Sequence, residues 1–179
     1  MKKRRNMTVV EQIKNDKRFY VNPITLSLME KRDIRSYEVV QIPVGKIRRH
    51  LDGKVFSLYK TDVYRYLSDE SEAAKEKYKE YAAAPFNQAD NPNRSPEEYD
   101  KLIKNFTKEE YDIHKGIIII NQYNCIMDGQ HRCCIMLKEH GEDHIITVLR
   151  VKYGDYPLIG RISINNFLYN IKRLFRKEV

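Results

Sequence analysis

The chain has 179 residues, 41% apolar and 32% charged, with 33 Lys and Arg against 25 Asp and Glu for a formal net charge of +8. That length and apolar share are enough for one domain with its own core, which excludes wholesale disorder. No apolar run approaches the roughly 20 residues of a membrane-spanning helix, and the basic start Met1-Lys2-Lys3-Arg4-Arg5 is followed by no apolar stretch of a secretory leader.

Charge is unevenly spread. Residues 1–60 hold 15 basic and 6 acidic side chains, residues 61–112 hold 8 and 13, and residues 113–179 hold 10 and 6. Basic ends thus flank an acidic middle. A solvated surface explains such runs, and so does an anionic partner. Cys125, Cys133 and Cys134 are few, odd in number and clustered, which fits a reducing cytoplasm and small buried side chains. Their spacing is not that of a four-ligand zinc site.

Thr8-Val9-Val10-Glu11 has the spacing of a capping box and predicts a helix over 8–19, broken at Asn22-Pro23. Val39 to Val44 is β-branched and predicts a strand, with Pro43 placing it at an edge or a strand end. Asp52-Gly53 reads as a turn. A helix is expected from about Thr61 and another over 71–84 carrying Tyr78 and Tyr81. Residues 87–96 read as a loop, and Ser95-Pro96-Glu97-Glu98 opens a further helix to about Asn105. Thr107 opens a short additional turn.

The 116–151 segment is the most informative. Ile117 to Ile120 form a buried strand, because a helix would meet the β-branched penalty four times. Asn121 to Asn124 make a hairpin turn, Cys125-Ile126-Met127 return as a second strand, and Asp128-Gly129 end it. Gln130 to His140 read as a buried helix, Gly141 as its C-terminal cap, and Ile145 to Val151 as a third strand.

A glycine between strand and helix lets an anion approach the outward-pointing N–H groups of the helix start. Arg132 has the fork to take two phosphate oxygens. His131 can donate to phosphate or pass a proton, and Asp128 can hold a Mg²⁺ carried by a nucleotide or accept a hydroxyl proton. The alternative is a plain Asp-Gly turn with His131 and Arg132 facing solvent.

This order of elements, with Asp128-Gly129-Gln130-His131-Arg132 at its centre, resembles the core of the ParB/sulfiredoxin superfamily over about 113–151. The resemblance implies an α+β fold, a small mixed sheet with helices packed on it plus N-terminal and C-terminal helices. It divides the chain into a helical extension (1–37), the domain (38–157) and a terminal amphipathic basic helix (158–179). It implies nucleotide phosphates at Gly129, Gln130, His131 and Arg132, with Asp128 and His131 catalytic and Asp128 on Mg²⁺. Asp52, Lys60 and Asp62 are second-tier site residues from the front half.

Departures narrow the reading. Gln130 stands where sulfiredoxins carry their catalytic Cys, so that activity is not expected. The 28 residues after Val151 are fewer than the DNA-binding helical domain and dimerising tail of a partition protein need. Residues 56–67, rich in aromatics and charge, are similar to a stretch of small ParB-like proteins associated with surface-polysaccharide gene clusters. They read equally as the core face of a helix.

Ile164, Phe167, Leu168, Ile171, Leu174 and Phe175 form one apolar helical stripe, with Lys172, Arg173, Arg176 and Lys177 near its end. Docking on the domain, an anionic membrane surface contacted through 164–177, or a partner would each occupy it. The leading expectation is a cytoplasmic phosphotransferase or NTPase, peripheral to the inner membrane face if the stripe binds lipid. It would use ATP or CTP with Mg²⁺ on a small hydroxylated acceptor. The alternative is a ParB-like DNA-binding or nucleotide-switched module, favoured by net charge and opposed by the acidic middle and the lack of a DNA-reading motif.

Overall fold

A computed structural model describes residues 7–51, 53–69, 71–84, 95–106 and 110–154. In chain order the elements are α1 (Val9–Asn15), α2 (Pro23–Glu30), β1 (Ile34–Pro43), β2 (Arg48–Leu51), β3 (Lys54–Ser57), α3 (Asp62–Ser68), α4 (Glu72–Ala82), α5 (Pro96–Phe106), α6 (Ile113–Gly116), β4 (Ile118–Asn121), β5 (Ile126–Asp128), α7 (Gln130–His140) and β6 (Ile145–Tyr153). The protein is a mixed α+β fold built on a four-stranded sheet of order β1-β6-β4-β5, with a separate β2-β3 hairpin.

The sheet is mixed. β6 runs antiparallel to β1 and parallel to β4, and β4 turns back antiparallel into β5. Side chains alternate between the faces of a strand. The isoleucine run obeys this rule: Ile118 and Ile120 join one core, Ile117 and Ile119 the other. β6 follows the same parity, with Ile146 and Val148 on the first side and Leu149, Val151 and Tyr153 on the second. Strands buried on both faces lack polar alternation, which is why this stretch reads as a continuous apolar run.

Helices cover both faces. On the second face Val10 and Ile13 of α1, Met29 of α2, and Phe19 and Val21 between them are buried. On the first face lie Val63 and Leu67 of α3, Tyr78 and Tyr81 of α4, Tyr99 of α5 and residues 133–137 of α7. α4 buries Ala74, Tyr78, Tyr81 and Ala82, one stripe at helical spacing, and leaves Glu72, Glu76, Lys77 and Lys79 to solvent. Tyr111 ties the sheet internally: its part-buried hydroxyl accepts the Ile118 N–H at 2.7 Å and donates to the Thr147 carbonyl at 3.1 Å.

The structure adjusts several expectations. α1 stops at Asn15, because the Asp16 backbone N–H bonds Ile13 and the chain turns there. Asn22-Pro23 ends nothing but a loop. Asn22 caps α2 and Pro23 occupies its first turn, where a missing N–H costs nothing. β1 runs from Ile34, longer than expected, and Pro43 does close an edge strand. The β2-β3 hairpin was not foreseen. It turns at Gly53 (φ +75°) and joins the sheet through a bridge between Arg48 and Cys125. The terminal helix expected over 158–179 and the turn at Thr107 lie outside the described residues.

Candidate functional site

Gly129 closes β5 and opens α7. It lies in the left-handed region at φ +90°, and a Cβ there would stand 2.8 Å from Ile118 Cγ1 and 3.0 Å from an Arg132 nitrogen. Only glycine takes this turn without both strain and collision. The first intrahelical bond runs from Cys133 N to Gly129 O at 3.0 Å, so the amides of Gln130, His131 and Arg132 point out of the helix end. Glycine has no side chain to cap them. Each of the other six α-helices among the described residues has a side-chain oxygen on its first-turn amides: Thr8, Asn22, Thr61, Ser71, Ser95 and Asp112.

The uncapped start faces a cleft of about 670 Å³. That volume lies within the range of small-molecule sites. Residues 126–132 form its floor. Asn22, Ile24, Thr25 and Leu28 of the α2 region make one wall, and Tyr78 and Tyr81 of α4 with Tyr99 and Leu102 of α5 make the other. Ile24 and Leu28 are 51% and 40% exposed, an apolar lip one helical turn long. Arg49 of the unforeseen hairpin also lines the cleft, brought there by the Arg48–Cys125 bridge.

Charges of both signs line it. Arg49 and Arg132 stand against Asp128 and Glu98, and the Glu98 charge is met by Lys101 at 2.8 Å. One Asp128 oxygen, Oδ2, accepts the Thr25 hydroxyl at 3.0 Å, which ties α2 to the end of β5. Its other oxygen takes no hydrogen bond among the described residues. Arg132 does not spread its whole fork into the cleft: Nη1 donates to the Gly116 carbonyl, which braces α6 against α7. One arm of the fork expected to take phosphate is thus committed to the protein itself. The Gln130 side chain is buried and its carbonyl lies 3.5 Å from the Tyr81 hydroxyl, so the main chain is what it offers the cleft.

His131 is held in an aromatic cage. Its Nε2 lies 2.9 Å from the Tyr78 hydroxyl, and the Tyr99 ring meets it edge-on at 4.5 Å and 86°. Tyr78 stacks on Tyr99 at 5.1 Å, and Tyr66 closes against both. Burial pushes the Tyr99 phenol well above its usual range. Burial, then the bond to Asp100, pushes Tyr66 up to about 12.

Asp128, Gly129, Gln130, His131 and Arg132 are thus brought together at one cleft. The second-tier residues are not: Lys60 and Asp62 sit outside the cleft lining, in the turn that starts α3, where Asp62 lies 3.9 Å from Arg65. Asp52 and the 164–177 stripe fall outside the described residues. The three cysteines are buried and free, and burial raises each thiol, Cys134 to about 12, so none is poised as a thiolate. Thr25, Arg49, Tyr78 and Tyr99 were missed as site residues. The one available signal was Asn22-Pro23, which reads as a helix start as well as a break.

No helix among the described residues is long and apolar enough to cross a membrane. Comparison with known proteins adds no name: no family model, no curated protein and no solved structure matches the chain.

Proposed function

We propose that the cleft binds a phosphate-bearing ligand, a nucleotide such as ATP or CTP carried with Mg²⁺. The protein would then be a nucleotide-dependent phosphotransferase or NTPase acting on a small hydroxylated acceptor, with a ParB/sulfiredoxin-like domain as its scaffold. The single observation behind this is the uncapped start of α7. Its first-turn amides take no side-chain cap from Gly129 and open, beside Arg49 and Arg132, into a cleft of nucleotide-compatible size. Helix N-termini favour anions through both their amides and their dipole.

Each lining group has a role in this reading. The Gln130, His131 and Arg132 amides and the Arg49 guanidinium hold phosphoryl oxygens. Arg132, with one arm on Gly116, acts mainly as a brace with residual positive charge. Ile24, Leu28 and Leu102 offer apolar surface to a planar base.

Mg²⁺ is usually bound through one or two carboxylates, phosphates and water. Asp128 has one oxygen outside any hydrogen bond among the described residues. Those residues contain no group of three or more His, Cys, Asp and Glu side chains able to hold a metal alone. That set suits an ion brought in on phosphates, held by Asp128. When bound it would neutralise charge on the transferring group. Residues 56–67 supply core side chains, Leu58, Val63 and Leu67, and none of them lines the cleft, so no acceptor class is drawn from that stretch.

The test is a thermal-shift screen of ATP, ADP, CTP and inorganic phosphate, with and without Mg²⁺. A ligand at about 100 times its Kd adds roughly 2.7 kcal/mol to the folded state. The expected result is a raised Tm with at least one nucleotide, larger with Mg²⁺. Unmoved melting across the screen at millimolar ligand removes the proposal.

A further inference from the structure

In a helix a threonine hydroxyl can bond the carbonyl one turn back. Thr25, in the first turn of α2, does otherwise: its hydroxyl reaches 103 positions along the chain and donates to Asp128 Oδ2 at 3.0 Å. Both side chains are part-buried and both line the cleft. Other hydroxyls of the lining are engaged differently. Tyr78 meets His131, Tyr99 donates to the Val63 carbonyl at 3.4 Å, and Ser95 accepts the Glu98 N–H at 3.3 Å. A hydroxyl within hydrogen-bond reach of a base is the arrangement of an activated nucleophile. Phosphoryl transfer asks little more of a protein than such a base, a positioned hydroxyl and cations on the transferring group. Asp128 directly precedes Gly129, so the hydroxyl it holds lines the same cleft as the start of α7 and the Arg49 and Arg132 side chains.

The geometry points to Thr25 as a phosphoryl acceptor carried by the protein itself: its hydroxyl takes the terminal phosphoryl group of a nucleoside triphosphate, with Asp128 as general base. The inference rests on the nucleotide reading of the cleft and adds to it an acceptor within the chain. Thr25 Oγ1 forms a bond to the terminal phosphorus as the bond from that phosphorus to its bridging oxygen breaks. The nucleoside diphosphate leaves with the electron pair, and the hydroxyl proton passes to Asp128 Oδ2. The product is a phosphothreonine ester with close to two negative charges. Such a group cannot donate to Asp128, so the tie between α2 and β5 is given up, and its oxygens fill the anion seat at the start of α7. The modification therefore stops at one phosphate per chain.

The experiment incubates the full-length protein with Mg-ATP and, separately, Mg-CTP. Intact-protein and peptide mass spectrometry follow the covalent change with time, beside thermal shifts with the same nucleotides. The expected result is a gain of one phosphoryl group per chain, located on Thr25. Thr25→Val, which keeps the shape and lacks the hydroxyl, should gain none, and Thr25→Ser should gain it on the new hydroxyl. Asp128→Asn should slow the gain about a hundredfold or more, the contribution of a general base. A phosphoryl group located on another residue of the wild type overturns the inference whether or not any variant folds. Labelling of Asp128→Asn at the wild-type rate overturns it too. A raised Tm with no gain of mass defeats the inference and leaves the nucleotide reading standing, whereas neither a raised Tm nor a gain of mass removes both.

Discussion

Among the described residues, six helix starts are sealed by their own side chains, and one has no side-chain cap. The sealed ones follow a rule the chain spells out: Thr, Asn, Ser or Asp stands before the helix and its oxygen takes first-turn amides. At α7 a glycine stands there instead, in a left-handed turn wedged against Ile118. A sealed start stabilises the fold and offers nothing to a ligand. The open start gives up that stabilisation and leaves three amides facing a cleft. Helix starts that look alike as secondary structure thus divide into structural ends and a candidate site.

Substitutions can break this contrast, and the largest effect is expected at the open end. Gly129→Ala places a Cβ against Ile118 in a left-handed turn. It should cost about 2–3 kcal/mol in urea unfolding and abolish nucleotide binding in the fraction that stays folded. A stable variant with wild-type affinity would show that the turn is incidental. At the most buried sealed end, Thr61 accepts the Tyr64 N–H at 3.1 Å and donates to the Leu58 carbonyl at 2.7 Å. Thr61→Ala should cost about 2 kcal/mol by the same measurement and leave affinity untouched.

Thr8→Ala removes an exposed capping box from α1 and should cost about 0.5–1 kcal/mol. The smallest effect concerns the other end of that helix. The Arg18 hydrogen bond, with the Arg18 amide and Tyr37 assisting, holds the Asp16 carboxyl at about 2, below its ordinary 3.8. A depressed carboxyl stabilises the fold above its unfolded pKa, and this is lost as pH falls through the folded value. Stability should decline by about 0.5 kcal/mol between pH 4 and 2 from this group, solvent screening allowed for. Asp16→Asn should remove that part of the slope in acid unfolding curves.

The contrast also explains what was legible in the sequence. Caps are local, so Thr8, Thr61, Ser71 and Ser95 could be read from single residues and their spacing. The same holds for Ile117 to Ile120 and for Gly129 between strand and helix. Arg49 could not be read, because Arg48-Arg49-His50-Leu51 has no apolar alternation and its place is set by a bridge to Cys125. Thr25 reaches Asp128 across 103 positions, and helical periodicity puts Tyr78 on a buried face without saying what its hydroxyl meets. The floor of the cleft was local and visible, while its walls are products of tertiary packing.

The central claim, that the open start of α7 works with cationic side chains to hold phosphate, is tested most directly by isothermal titration of Arg49→Ala with whichever nucleotide raises the wild-type Tm, at one fixed low salt concentration. Arg49 is part-exposed, lines the cleft and caps no helix. The account predicts an unchanged Tm without ligand and binding weakened about tenfold, the 1.4 kcal/mol expected of one charge-assisted hydrogen bond. Equal affinity in the two proteins would contradict it.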